Sequence, residues 1–93
     1  MNALKHVDHH MDNLISDLQK LIQQPSVSAK NEGIEECAKL VKSLLKTSGL
    51  KSEILRLKKG VAPIVFAEIK SKSNPDKTLM FYNHYDVQPA EPF

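Results

Sequence analysis

The chain has 93 residues and a formal net charge of +2, which comes from 13 basic and 11 acidic side chains spread along the sequence. This length allows one small domain with a modest core, and the hydrophobic fraction of 41% is ordinary for a globular chain. The balance of charge gives no electrostatic reason to expect a nucleic-acid or membrane partner, so neither is predicted.

The cysteine content and the amino terminus bear on the cellular compartment. Cys37 is the only cysteine, which excludes an intramolecular disulfide and a cysteine-rich zinc site. It falls on the apolar face of a predicted helix, where a buried, unreactive thiol is expected. The opening MNALKHVDHHMDNL is too polar for a signal peptide, and no stretch approaches the length of a membrane span. We therefore predict a reducing, cytoplasmic setting.

The first predicted element is an amphipathic helix. Apolar residues recur at spacings of three and four between Val7 and Ile22, and the pattern ends near Gln24. Pro25 stops the helix because the residue before a proline is disfavoured in helical geometry. The segment PSVSAKNEG that follows is predicted to be a connector.

A second helix is predicted over residues 31–48, and Gly49 supplies the left-handed residue that commonly closes a helix. Ser28 and Asn31 are the candidate caps at its amino terminus. The residues predicted for its inner face are Ile34, Cys37, Ala38, Val41, Leu44 and Leu45.

Three strands are predicted after Gly49. Residues 50–57 are short and partly alternating, as in an edge strand, and residues 61–70 form a second strand. A polar loop with an Asn-Pro-Asp turn signal covers residues 71–77. Residues 78–82 are apolar on both faces, which predicts a strand covered on both sides.

The predicted fold class is therefore α/β, with two amino-terminal helices followed by three strands. A strand that is apolar on both faces needs layers above and below it, whereas two helices can cover only one face of a small sheet. The pattern thus predicts the start of a larger α/β domain. For this chain by itself, we expect the uncovered apolar surface to produce a homo-oligomer through helix packing or strand exchange.

His84 and Asp86 are the candidate site residues, since residues two apart in an extended segment point the same way. They follow a predicted strand, and ligand sites in open α/β sheets lie beyond the carboxyl ends of strands. A neutral imidazole binds zinc well, and a neighbouring carboxylate fixes its tautomer. The spacing alone is a weak signal, so a hydrogen-bonded surface pair is the alternative.

The string YNHYDVQPAEPF after an apolar strand resembles the first metal-binding motif of the di-zinc peptidases that include glutamate carboxypeptidase, aminoacylase and carnosine dipeptidase. The part HYDVQPA is most similar to the dipeptidase branch. The upstream order agrees, with a long helix ending in LIQQPSVSAKNEG, then a helix and a hairpin. The resemblance covers the whole of residues 1–93, as an amino-terminal fragment of a metallopeptidase catalytic domain.

The resemblance assigns roles to two residues. His84 corresponds to the histidine that binds one of two zinc ions, and Asp86 to the catalytic-site aspartate that orients and polarises the metal site. Residues 26–28 correspond to a connector without known chemistry. Asn83 departs from the pattern, because the family usually has glycine there, although Asn adopts some glycine-like backbone angles.

The function implied by the resemblance is that of a hydrolase. The parent enzyme would be a dipeptidase or carboxypeptidase that cleaves an amide bond near a free carboxylate, in a dipeptide or an acylated amino acid. Its cofactor would be zinc, two ions per site, with cobalt or manganese as alternatives. The bridging aspartate, the glutamate base and the other ligands are expected beyond Phe93, so the fragment itself is predicted to be inactive.

Two other interpretations stay open. His6 and His10 are four residues apart and would share a helix face, a spacing that can hold a metal ion, although an exposed polar face explains them more simply. The whole chain could also be a small self-associating interaction module with no catalytic role, in which His84 and Asp86 are structural.

Overall fold

A computed structural model describes residues 2–90 of the chain, and the last residues of the YNHYDVQPAEPF string, 91–93, lie outside this part. The described residues form a small mixed α/β fold, as the α/β prediction required. Its elements are helix α1 (Ala3–His9), helix α2 (Met11–Gln23), a short 3-10 helix (Ser28–Lys30), helix α3 (Ile34–Thr47), strand β1 (Lys51–Leu55) and strand β2 (Ile64–Glu68).

The first predicted helix is divided into α1 and α2 at His10. The backbone of His10 has φ −116° and ψ 17°, which lies outside helical geometry, and its N–H donates to the carbonyls of His6 and Val7. Helix α2 then begins at Met11 and ends before Pro25, as the proline predicted. A single continuous helix was therefore the wrong prediction, although its carboxyl end was correct.

Helix α3 begins at Ile34 rather than at Asn31, because its N-cap is Gly33 with φ +74°. The predicted caps were wrong: Ser28 starts the 3-10 helix, and Asn31 adopts the left-handed conformation that ends it. Glycine is required at position 33, since a Cβ atom there would collide with the carbonyl of Pro25. This close approach packs the start of α3 against the connector.

Strands β1 and β2 form an antiparallel hairpin that packs on α3. The pairs Ser52–Ala67 and Ile54–Val65 lie opposite each other in register, and all four residues are half-buried. The Ser52 hydroxyl donates to the carbonyl of Lys42 in α3 at 3.1 Å. One face of the hairpin is therefore covered by α3, in keeping with the alternation of the two strands.

The core is small and lies around the first turns of α3. Ile34, Cys37 and Ala38 are at most 4% exposed, which confirms the prediction of a buried thiol. The other predicted inner-face residues are half-buried. Large apolar residues on α2 and on the open face of the hairpin remain exposed; they include Leu14, Ile15, Leu18, Ile22, Leu55, Ile64 and Phe66.

The third predicted strand is not formed. The described residues contain two strands, and the run 78–82 belongs to neither of them. Its side chains Leu79, Met80, Phe81 and Tyr82 are at least 80% exposed. Strand preference mostly reflects packing against neighbours on a sheet. Because no second layer formed by residues 2–90 covers the run, that packing is missing.

Between residues 2 and 90, no helix combines the length and the apolar character needed to cross a membrane.

Candidate functional site

The connector after α2 and residues 84–87 lie side by side, although they are far apart in the sequence. Val27 and Val87 form a parallel bridge, and the Val87 N–H donates to the Ser26 carbonyl at 2.9 Å. Val27 also exchanges two backbone hydrogen bonds with Glu32, at 2.8 and 3.0 Å. The backbone of the connector thus holds the segment that carries the candidate site.

Tyr85 fixes this segment against the rest of the fold. Its carbonyl accepts a hydrogen bond from the buried Ser26 hydroxyl at 2.7 Å, and the Cys37 thiol lies 3.9 Å from the same oxygen. Its own hydroxyl donates to the carbonyl of Pro63 at 2.5 Å. The connector, α3 and the loop before β2 therefore all contact one residue between His84 and Asp86.

The imidazole of His84 is hydrogen-bonded to Asp86 on one side. Its Nδ1 lies 2.9 Å from the Asp86 carbonyl oxygen and 3.1 Å from the carboxylate oxygen Oδ1. Both partners are acceptors, so Nδ1 carries the hydrogen, and the neutral ring has its lone pair on Nε2. The side chain of His84 is 78% exposed, which leaves the ring accessible to ions in solution.

Ser28 contacts the other carboxylate oxygen of Asp86. Its hydroxyl donates to Oδ2 at 2.7 Å, so the two oxygens of this carboxylate have different partners. This hydrogen bond is the main cause of a lowered pKa for Asp86; partial desolvation opposes it, and the Asp86 backbone and His84 add to the lowering. Asp86 is therefore an ionised acceptor at neutral pH.

The geometry fits one zinc ligand with its orienting partner. A histidine that binds a metal usually donates its other ring N–H to a carboxylate or a carbonyl, as His84 does. A zinc site needs at least three protein ligands. In the part of the chain that the structure describes, no three His, Cys, Asp or Glu side chains come close enough to hold an ion. His84 would thus be one ligand of a larger set.

The other histidine pair has a different geometry. The rings of His6 and His10 are stacked, with centroids 4.2 Å apart and planes at 20°. The Nδ1 atom of His10 lies 2.9 Å from the carbonyl oxygen of His6, an interaction within one helical turn. Neither ring belongs to a group of three potential ligands within residues 2–90. This arrangement supports the simpler interpretation as a polar helix surface.

The two serines of the connector are the site residues that sequence reasoning missed. The sequence indicated only a connector without known chemistry and, for Ser28, a helix cap, whereas the hydroxyls of Ser26 and Ser28 contact Tyr85 and Asp86. The signal in the sequence was the spacing of two, which places both hydroxyls on one side of an extended connector. Nothing local indicated which distant segment they would meet.

No family model matches this chain, and no curated protein or solved structure matches it either.

Proposed function

We propose that this chain is the amino-terminal part of the catalytic domain of a zinc-dependent metallopeptidase, of the dipeptidase or carboxypeptidase kind. The observation that carries the proposal is the hydrogen bond from His84 Nδ1 to Asp86, which leaves Nε2 as the metal-binding atom of an exposed ring. The motif HYDVQPA supports the same assignment by its similarity to the first metal-binding motif of di-zinc peptidases.

In this proposal each residue has a distinct role. His84 binds one of two zinc ions through Nε2. Asp86 keeps the ring in the Nδ1–H tautomer and fixes its orientation, because its carbonyl and carboxylate oxygens both accept from Nδ1. Zinc, or cobalt or manganese in its place, supplies a Lewis acid and an activated water. The general base and the other ligands come from outside residues 1–93, so the chain by itself is inactive.

The proposed substrate is a dipeptide or an acylated amino acid, cleaved at an amide bond near a free carboxylate. The proposed compartment is the reducing cytoplasm, in which the buried Cys37 remains a thiol. The exposed apolar surfaces of α2, of the hairpin and of residues 78–82 support membership of a larger domain, since further layers would cover them.

The proposal requires a longer open reading frame that contains this chain, and the test uses the protein expressed from it. The expressed protein is assayed for dipeptide hydrolysis and for bound zinc, with His84→Ala as the variant and His9→Ala, an exposed histidine of α1, as the matched control. We expect His84→Ala to lose zinc and activity and His9→Ala to keep both. Unchanged zinc content and turnover in His84→Ala would contradict the proposal.

A second experiment uses the 93-residue chain itself, for which we expect no peptidase turnover. Robust hydrolysis that resists chelators would contradict the assignment.

A self-associating interaction module is the second candidate. It is favoured by one observation, the continuous exposed run from Leu79 to Tyr82, which is unusual for a monomer in water. In that case His84 and Asp86 would be structural, and His84→Ala would leave both zinc content and activity of the longer protein unchanged.

A further inference from the structure

Ser28, Asp86 and His84 form a continuous chain of side-chain hydrogen bonds across two segments that are distant in sequence. The Ser28 hydroxyl donates to Asp86 Oδ2 at 2.7 Å, and His84 Nδ1 lies 3.1 Å from Asp86 Oδ1. We propose that Ser28 is a positioning residue for His84, because it locks the Asp86 carboxylate in the orientation that keeps the ring in its Nδ1–H tautomer with Nε2 open to a metal. This inference rests on the proposed function.

The Asp86 carboxylate needs a second hydrogen-bond partner to keep its orientation because it is exposed. The side chain of Asp86 is 44% exposed, so water competes with His84 for its oxygens. The carboxylate can also rotate about its terminal torsion, which is broad for aspartate. A short hydrogen bond to Oδ2 from a third group removes this freedom and directs Oδ1 towards the imidazole.

Ser28 is suited to this role because its own backbone is held firmly. It starts the 3-10 helix, in which its carbonyl accepts from the Asn31 N–H at 3.1 Å. The preceding Val27 exchanges two hydrogen bonds with Glu32 and forms the bridge to Val87. The backbone on both sides of the Ser28 hydroxyl is therefore held by hydrogen bonds.

Ser28 and Ser26 donate to different parts of the segment 84–87, a side chain and the main chain respectively. The buried Ser26 donates to the main chain, at the Tyr85 carbonyl, and so fixes where the segment lies. Within residues 2–90, the hydroxyl of the exposed Ser28 donates only to a side chain of that segment, the Asp86 carboxylate. Loss of its hydroxyl is therefore expected to change the orientation and tautomer of His84 while the fold is preserved.

The experiment is nitrogen NMR of the histidine rings in the ¹⁵N-labelled 93-residue chain, at one pH at which the rings are neutral. Two-bond couplings distinguish the Nδ1–H from the Nε2–H tautomer at each assigned histidine. We expect His84 of the wild type to be mainly Nδ1–H. In Ser28→Ala the share of the Nε2–H form, which water favours for free histidine, should rise, because only the Asp86 carbonyl, 2.9 Å from Nδ1, still supports the Nδ1–H form firmly. Ser28→Thr should restore the wild-type pattern.

The controls are Ser73→Ala, in the loop 71–77, and the backbone amide spectrum, both expected to match the wild type. An unchanged tautomer in Ser28→Ala would overturn the proposal. Loss of the Nδ1–H form in Ser28→Thr to the same extent would also overturn it, because the hydroxyl would then not be the cause.

A zinc titration of the same samples separates this inference from the proposed function. Zinc should perturb the His84 ring of the wild type, with about 10-fold weaker binding in Ser28→Ala, the lower end of the effect of outer partners of a metal ligand. If zinc leaves the wild-type ring unchanged, the metal-ligand role of His84 fails. If zinc binds His84 with equal affinity in both proteins, the positioning role of Ser28 fails.

Discussion

At the scale of single residues, Tyr85 connects the candidate site to the fold. Its ring carries a hydroxyl that donates to the Pro63 carbonyl, and its carbonyl accepts from Ser26. Partial burial raises the pKa of the Tyr85 hydroxyl, the carboxylates of Glu35 and Asp86 act in the same direction, and the Arg56 guanidinium opposes them. The neutral phenol is therefore the form that the folded chain favours.

This pKa shift predicts a loss of stability at alkaline pH. A tyrosine whose pKa is raised in the folded state contributes stability that is fully present below the unfolded value of about 10 and is lost as pH rises through the folded value. We expect the urea midpoint to fall over that alkaline range in the wild type. In Tyr85→Phe, the part of the fall that this phenol causes should be absent.

The variant Tyr82→Phe provides both the control and a direct reading of Tyr85. The chain has two tyrosines, so Tyr85 is then the only phenol, and its ultraviolet absorbance reports its own ionisation. We expect ionisation above the ordinary phenol value of about 10. Ionisation at or below that value would contradict the partial burial of the hydroxyl.

At the scale of elements, the junction between the connector and α3 depends on one glycine. Gly33 has φ +74°, caps α3, and brings the helix against the carbonyl of Pro25. Gly49, after α3, has a similar backbone with φ +95° but open space around its Cβ position. Alanine at position 49 would meet only the cost of a left-handed backbone, whereas alanine at position 33 would also collide with Pro25.

The comparison of Gly33→Ala with Gly49→Ala tests this junction. We expect Gly49→Ala to lower the free energy of unfolding by about 1 kcal/mol, the cost of a left-handed alanine. Gly33→Ala should cost about 3 kcal/mol or more, because the collision with the Pro25 carbonyl adds overpacking strain. Urea denaturation measures both values, and equal losses would show that the close approach is absent.

At the scale of the whole molecule, apolar surface is left open on several sides. The fold measures 47 × 33 × 17 Å, a flat shape in keeping with α3 covering a single face of the hairpin. Leu18 and Ile22 of α2, Phe66 of the hairpin and the run from Leu79 to Tyr82 all remain more than 40% exposed. A chain with this distribution is expected to bury these side chains against another layer or another copy.

The purified chain is therefore expected to self-associate. Its sedimentation coefficient should rise with concentration, and the double variant Leu79→Ser/Phe81→Ser should shift that rise to higher concentration because it removes two of the most exposed apolar side chains. Lys72→Ser, in the preceding polar loop, is the control and should behave as the wild type. A wild-type chain that stays monomeric at every concentration would contradict the prediction.

The sequence by itself determined the features that depend on neighbouring residues. Pro25 ends α2 and Gly49 follows α3, because backbone sterics at a proline or glycine act within a few residues. The patterns of residues 50–57 and 61–70 predicted two strands, and both form, as the shorter antiparallel pair β1 and β2. The pairing of His84 with Asp86 was also predictable, since residues two apart in an extended segment can share a side. Its predicted place at the end of a buried strand was wrong, because residues 78–82 form no strand.

Only the tertiary structure decided the features that depend on distant contacts. The Ser28–Asp86 hydrogen bond joins residues 58 positions apart, and no local pattern indicates such a pairing. The start of α3 moved to Ile34 because Gly33 packs against Pro25. The run 78–82 has strand composition but forms no strand, since a strand is stabilised by partners and covering layers that the composition of the segment does not supply.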